Sequence, residues 1–262
     1  MPNTSPLLEK SMNNVLLNID GPIATICLDN PDKHNSLAGS DIEQFIAHLN
    51  QVEQSPEVRA LIITSSEGKT FCAGASLTEM GSGNLSGEIF ERLTNRLAAV
   101  QIPTICAMNG SAYGGGSEIG LCCDFRIGIK GMRLFVPASR FGLCYPLNGI
   151  QRYVHKLGPD TAKRLLIASE EFHGESLLAL GYLTHLVEPE EINEKARSMA
   201  EGICRLGPIA VRTMKTLCDQ AAAGILDQEA ATLMINHCNQ SNDLQEGLAA
   251  AREKRTPVFS GN

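Results

Sequence analysis

Gly114, Gly115 and Gly116 stand together, and Ser117 and Glu118 follow at once. Consecutive glycines allow a sharp turn and remove every side chain that would hold a ligand away from the backbone, so their N–H groups can be approached directly. The small and apolar residues from Ser117 to Cys123 predict a helix that starts at the glycines. The first N–H groups of such a helix lack intrahelical acceptors and carry the positive end of its dipole, so they suit developing negative charge. Glu118, placed three residues after Gly115, would set a carboxylate beside the same donors. Taken alone, the glycine run is equally the mark of a tightly packed loop. Glu118 alone is equally a helix-start acid, worth about 0.3 to 1 kcal/mol.

A second stretch, Lys69-Thr70-Phe71-Cys72-Ala73-Gly74-Ala75-Ser76-Leu77-Thr78-Glu79-Met80, again puts small residues behind an apolar run, Ala60 to Thr64, and ahead of a helical pattern. The chain therefore offers bare backbone donors at two strand exits. Two converging N–H groups are what an oxyanion hole for a carbonyl or a thioester enolate requires.

Phe71 to Leu77, paired with Asn109-Gly110-Ser111-Ala112-Tyr113-Gly114-Gly115-Gly116-Ser117-Glu118, resembles the double signature of the crotonase (enoyl-CoA hydratase/isomerase) superfamily. The resemblance runs from Asn30-Pro31-Asp32-Lys33-His34-Asn35-Ser36-Leu37 to Glu253-Lys254-Arg255-Thr256-Pro257-Val258-Phe259. It implies an α/β spiral core of repeated ββα units over residues 1–200 and a helical C-terminal trimerisation region over 201–262. It also implies an enzyme of acyl-CoA and fatty acid metabolism that works as a trimer or a dimer of trimers. Coenzyme A would arrive as part of the substrate, with no prosthetic group. The thioester carbonyl would lie between the N–H groups of Ala75 and Gly115. Lys33 and His34 would line the adenine and pantetheine, with Ala73, Ala75, Ser76, Leu77, Gly114 and Gly115 on the other side. Lys254, with Arg255, would meet the phosphates, across a subunit boundary; the plainer reading of these two is a solvated helix end.

In the hydratases of that superfamily the acid after the glycines, here Glu118, is one of two. The second sits in a Pro-Glu pair followed four residues later by glycine, and the matching segment is Pro137-Ala138-Ser139-Arg140-Phe141-Gly142. Ala138 stands where that carboxylate would be. Hydration needs one group to activate water and another to manage the proton on carbon, so the alanine argues for one-acid chemistry. Gly142-Leu143-Cys144-Tyr145-Pro146-Leu147-Asn148-Gly149 resembles the segment of methylmalonyl-CoA decarboxylase-like members, in which Tyr145's counterpart faces the acyl group. Those members have a histidine where this chain has Ala75, and a half-buried tyrosine with its hydroxyl paired explains Tyr145 as well. The resemblance thus implies an acyl-CoA decarboxylase or an enoyl-CoA isomerase. The alternatives are an atypical hydratase and a non-catalytic acyl-CoA binding protein.

These residues need elements to hold them. Val15 to Asp20 and Ile23 to Leu28 read as a hairpin about Gly21-Pro22, and Pro31 to Asn35 as a loop. Ser40 with Glu43 predicts a capping box opening a helix from about Asp41 to Gln54. Strands are expected at Ala60–Thr64, Pro103–Met108 and Asp124–Ile129, with a mobile loop from Gly81 to Gly87 and a helix to about Val100. Strands alternating with helices predict a mostly parallel sheet. From about Gly149 the pattern is helical, broken by one strand at Leu183–Val187. Helices are expected from Glu190, Pro208, Asp227 and Asp243, the last with a capping partner at Glu246.

A net charge of −7 with no basic run argues against nucleic acid. With nine cysteines, an odd number, none in a CxxC pair, the composition suggests neither a disulfide framework nor a metal site and fits a reducing cytoplasm. The scattered histidines lack metal or triad spacing, and Ser76 and Ser117 lack an adjacent base. The polar residues from Met1 to Asn14 do not read as a signal peptide, and no run reaches membrane-spanning length.

Overall fold

The computed structural model describes residues 13–262, so the polar reading of the chain before residue 13 lies outside the described residues. Strands β1 (Val15–Asp20) and β2 (Ile23–Leu28) form the expected antiparallel hairpin, turned at Gly21, whose φ of 56° suits a residue without a side chain. Helix α1 (Gly39–Glu53) returns the chain to β3 (Ala60–Ser65), which pairs parallel with β2. The predicted capping box is corrected here. The helix opens two residues earlier, with Ala38 as N-cap and the Asp41 carboxylate accepting its N–H at 2.9 Å. Glu43 pairs with Arg92 instead.

After β3 the chain repeats one unit. A short strand, β4 (Thr70–Cys72), leads to α2 (Leu77–Ser82) and α3 (Gly87–Ala98). Next come β5 (Thr104–Met108), β6 (Ser111–Tyr113) and α4 (Gly115–Cys122), then β7 (Phe125–Ile129), β8 (Arg133–Phe135) and α5 (Leu147–Leu166). The first strand of each unit joins a six-stranded sheet ordered β1-β2-β3-β5-β7-β10, closed by β10 (His185–Val187). The second strand joins a four-stranded sheet ordered β4-β6-β8-β9, with β9 (Phe172–His173) antiparallel at its edge. This is the spiral of ββα units. The second sheet was not expected from sequence beyond the resemblance, nor was β9.

Side-chain alternation shows how the large sheet is used. Leu61 and Ile63 of β3 and Cys106 and Met108 of β5 enter the main core under α1 and α3. Ala60, Ile62, Ile105 and Ala107 face the other way, onto Ile192, Ala196 and Ala200 of α7 (Ile192–Cys204). The central strands are thus buried on both faces and read as continuous apolar runs. Between α6 (Gly174–Ala179) and the C-terminus come α8 (Pro208–Ala223), α9 (Gln228–Asn239) and α10 (Asn242–Glu253). The cap of α10 differs from expectation: Ser241 accepts from the Leu244 N–H at 3.2 Å, while Glu246 holds Arg255. The Gly81–Gly87 stretch is also more ordered than a loop. Gly81 and Ser82 belong to α2, Gly83 closes it at φ 79°, and Ser86 caps α3. No helix among the described residues is long and apolar enough to cross a membrane.

Candidate active site

Since β4, β6 and β8 are neighbours in one parallel sheet, their exits lie side by side. Ala75 comes after β4, Gly115 and Glu118 after β6, and Ala138 after β8. The fold therefore brings together residues far apart in sequence by making them equivalent places in successive turns.

Leu37 forms an isolated parallel bridge with Ala75, through Leu37 N–H to Gly74 O at 2.8 Å and Ser76 N–H to Leu37 O at 2.9 Å. That pairing occupies the groups on either side of Ala75 and turns its own N–H to the opposite edge. The loops meet closely. A Cβ on Gly74, which holds φ 82°, would stand 2.5 Å from the Gly115 nitrogen, and one on Gly116 only 2.0 Å from the Cys72 carbonyl oxygen. Gly114, at φ 50°, is the N-cap of α4, so Gly115 opens the helix with an N–H that has no intrahelical acceptor. Both N–H groups sit at half-buried residues.

Glu118 is buried on the first turn of α4. Its Oε1 is paired with Arg152 of α5, and both side chains are enclosed, at 3% and 12% exposure. Asn95 Oδ1 of α3 accepts from Arg152 at 2.9 Å and from Asn148 Nδ2 at 3.3 Å, which ties α3 to α5. Burial pushes the Glu118 carboxyl above the ordinary glutamate range, and Arg152, then Tyr145 and Thr94, pull against that rise. Glu91 of α3 also faces Glu118, and its Oε1 accepts from the Asn148 N–H at 3.1 Å. Ala138 itself is buried at the start of a short 3-10 turn.

Tyr145 stands beside Glu118, edge-on to Tyr153 with ring centroids 5.6 Å apart. Its hydroxyl is enclosed beside Glu118 and Tyr153. Burial holds it a neutral phenol. Gly149 makes room for this contact, since a Cβ there would stand 2.7 Å from the Tyr145 ring and 3.2 Å from Glu118 Oε1.

The coenzyme-side residues divide into two groups. Lys33 and His34 are exposed on a turn beside β4, His34 at φ 54° with Nδ1 3.2 Å from Thr70 Oγ1. The Ala73 N–H is spent on the His34 carbonyl at 3.0 Å, so only its carbonyl is left for a ligand. Ser76 caps α2, with its Oγ 3.5 Å from the Glu79 nitrogen, and Leu77 is exposed beside it. The Gly114 N–H is likewise used, on the Phe135 carbonyl at 3.0 Å. Lys254 does not join them within one chain. The C-terminal segment is anchored where Arg59 donates to the Phe259 carbonyl at 2.9 Å, before the start of β3.

Arg152 and Asn95 were missed from sequence. The one available signal was spacing: Gly149, Arg152 and Tyr153 fall three and four residues apart and share a face of α5.

Residues 18–262 match the enoyl-CoA hydratase/isomerase family. The chain is 31% identical over 255 residues to the short-chain-enoyl-CoA hydratase of Clostridium acetobutylicum, covering 93% of this chain and 96% of the relative. It is 33% identical over 256 residues to the human mitochondrial enoyl-CoA hydratase domain-containing protein 2, covering 92% and 87%. The crystal structure of an enoyl-CoA hydratase from Bacillus anthracis superposes with a TM-score of 0.87 at 28% identity, over 95% of this chain and all of that one (100%).

Proposed function

Because the chain belongs to the enoyl-CoA hydratase/isomerase family, we propose that it shifts the double bond of an enoyl-CoA thioester, with Glu118 carrying the proton between two carbons. The thioester oxygen accepts from the Ala75 and Gly115 N–H groups. Glu118 removes a proton from Cα of a 3-enoyl thioester, and the electron pair moves onto the carbonyl oxygen as a dienolate. Glu118 then returns the proton to Cγ, which leaves the conjugated 2-enoyl thioester. The oxyanion donors lower the barrier to the dienolate, where the charge is greatest. The coenzyme is carried by the substrate, and the scheme uses no prosthetic group.

The observation that carries this reading is the enclosed Glu118–Arg152 pair at the glycine helix start, with a methyl group at Ala138. It also weighs against decarboxylation, because the buried cation that a substrate carboxylate would seek is already held by Glu118. Two relatives are named hydratases, and hydration on Glu118 alone is the second reading. Incubation with 3-butenoyl-, crotonyl- and methylmalonyl-CoA in deuterated water, read by mass, separates the three. The expected result is fastest conversion of 3-butenoyl-CoA to crotonyl-CoA. Release of carbon dioxide, or crotonyl-CoA hydration at or above about 10 per second, sinks it.

The same reading takes residues 201–262 as the subunit-contact region, supported by exposed Met214, Ile225, Leu233, Ile235 and Leu248 on or beside α8 to α10. Light scattering should return a trimer or hexamer; a monomer at micromolar concentration refutes it. All nine cysteines are free thiols, which supports a cytoplasmic location, checked by cell fractionation.

A further inference from the structure

We propose that Arg152 is a positioning residue for this reaction: anchored on Asn95, its guanidinium holds Oε1 of Glu118 and leaves the other carboxylate oxygen to exchange the proton with substrate. This rests on the reading of Glu118 as the base.

Three observations converge on Arg152. It forms the enclosed ion pair with Glu118. Its Nη2 donates at 2.9 Å to Asn95 Oδ1, which also accepts from Asn148, so the guanidinium is fixed from a third helix. Arg152 also borders a cavity of about 260 Å³, lined in addition by Asn95, Asn148, His155 and Lys156. The cavity leaves the guanidinium room to swing away. Bonds rather than packing hold it at Glu118, and the planar fork suits that task better than a point charge would.

The groups that face Glu118 are Glu91 and Thr94 on α3, Cys122 on its own helix, and Tyr145, Arg152 and Tyr153 on and before α5. Arg152 is the cation among them. An opposite charge at contact favours the ionised acid by one to three pKa units, roughly. Removing it therefore moves the pH at which the base becomes available upward, whereas a purely structural arginine would leave that pH unchanged.

The test reads deuterium uptake at Cα of butanoyl-CoA across pD for the wild type, Arg152→Gln, Arg152→Lys, Asn95→Ala and Glu118→Gln, with melting curves for each. Arg152→Gln should lose about 10²-fold in rate and shift its acidic limb up by at least about one unit. Arg152→Lys should keep the limb while losing rate, because the charge stays and the fork is gone. Asn95→Ala should lower the rate and raise the limb part-way, as the guanidinium gains the cavity. Wild-type rate and limb in Arg152→Gln overturn the proposal. If that variant does not fold, wild-type behaviour of both Arg152→Lys and Asn95→Ala overturns it. Silent Arg152 and Asn95 variants beside an inactive Glu118→Gln refute the positioning role alone, whereas an active Glu118→Gln refutes the base beneath it.

Discussion

Glu118→Gln should lose about 10²- to 10⁴-fold in turnover on every thioester the enzyme accepts, the range for removing a positioned proton carrier. Among the described residues Ala138 fills the neighbouring exit, and Glu91, the other carboxylate that faces Glu118, accepts at Oε1 from the start of α5. The amide keeps the shape of the side chain and can still accept from Arg152, so the variant should fold, and a melting curve checks this. A pH profile belongs to the same experiment. The Glu118 carboxyl is raised by burial, so the wild-type rate falls with decreasing pH at a value above the usual glutamate figure of about 4.3. Stability has the opposite sign. A raised carboxyl binds its proton more tightly in the folded state, so its contribution is full below the unfolded value and is lost as pH rises through the raised one. The ionised base is thus kept at a cost to the fold. Turnover in Glu118→Gln near the wild-type rate would falsify the assignment.

Deleting the Gly115 N–H should cost about 10²- to 10³-fold in kcat, or 2.7 to 4 kcal/mol. The obvious substitution does not isolate this effect. Any Cβ at residue 115 would stand 2.3 Å from the buried Phe90 ring, so proline would remove the donor and break the packing together. Glycolic acid at position 115 replaces the amide by an ester and adds no carbon. The donor is lost while Phe90 and the loop keep their contacts. The ester protein should show the loss in kcat with a melting temperature near that of the wild type. Unchanged kcat would mean that the carbonyl is held elsewhere.

The larger sheet was legible because Ala60 to Thr64 and Pro103 to Met108 are continuous apolar runs, as strands buried on both faces must be. The smaller sheet was not. Ser111–Tyr113 and Arg133–Phe135 are too short to show a period, and their residues are chosen by neighbours in other turns. The glycine helix start and its acid were readable, since close approach of two backbones at Gly74 and Gly116 admits no side chain. The capping boxes misled for a physical reason: Ser40 and Glu43 have the right spacing, but the Leu37–Ala75 bridge brings the chain in so that Asp41 is the acid in reach. Arg152 lies 34 residues from Glu118, and no local pattern marks a partner that only the meeting of α4 and α5 supplies.

The side-by-side exits of the smaller sheet make the reaction editable one slot at a time. Pairing along β4, β6 and β8 is done by backbone groups of the strands and of Gly114, so the side chains at Ala75 and Ala138 take no part in the ladder. Exchanging a methyl for a carboxylate in the third slot, or an alanine for a histidine in the first, leaves the ladder untouched. A scaffold wired in this way can change the side chains at its strand exits by single replacements while the backbone that carries them stays the same.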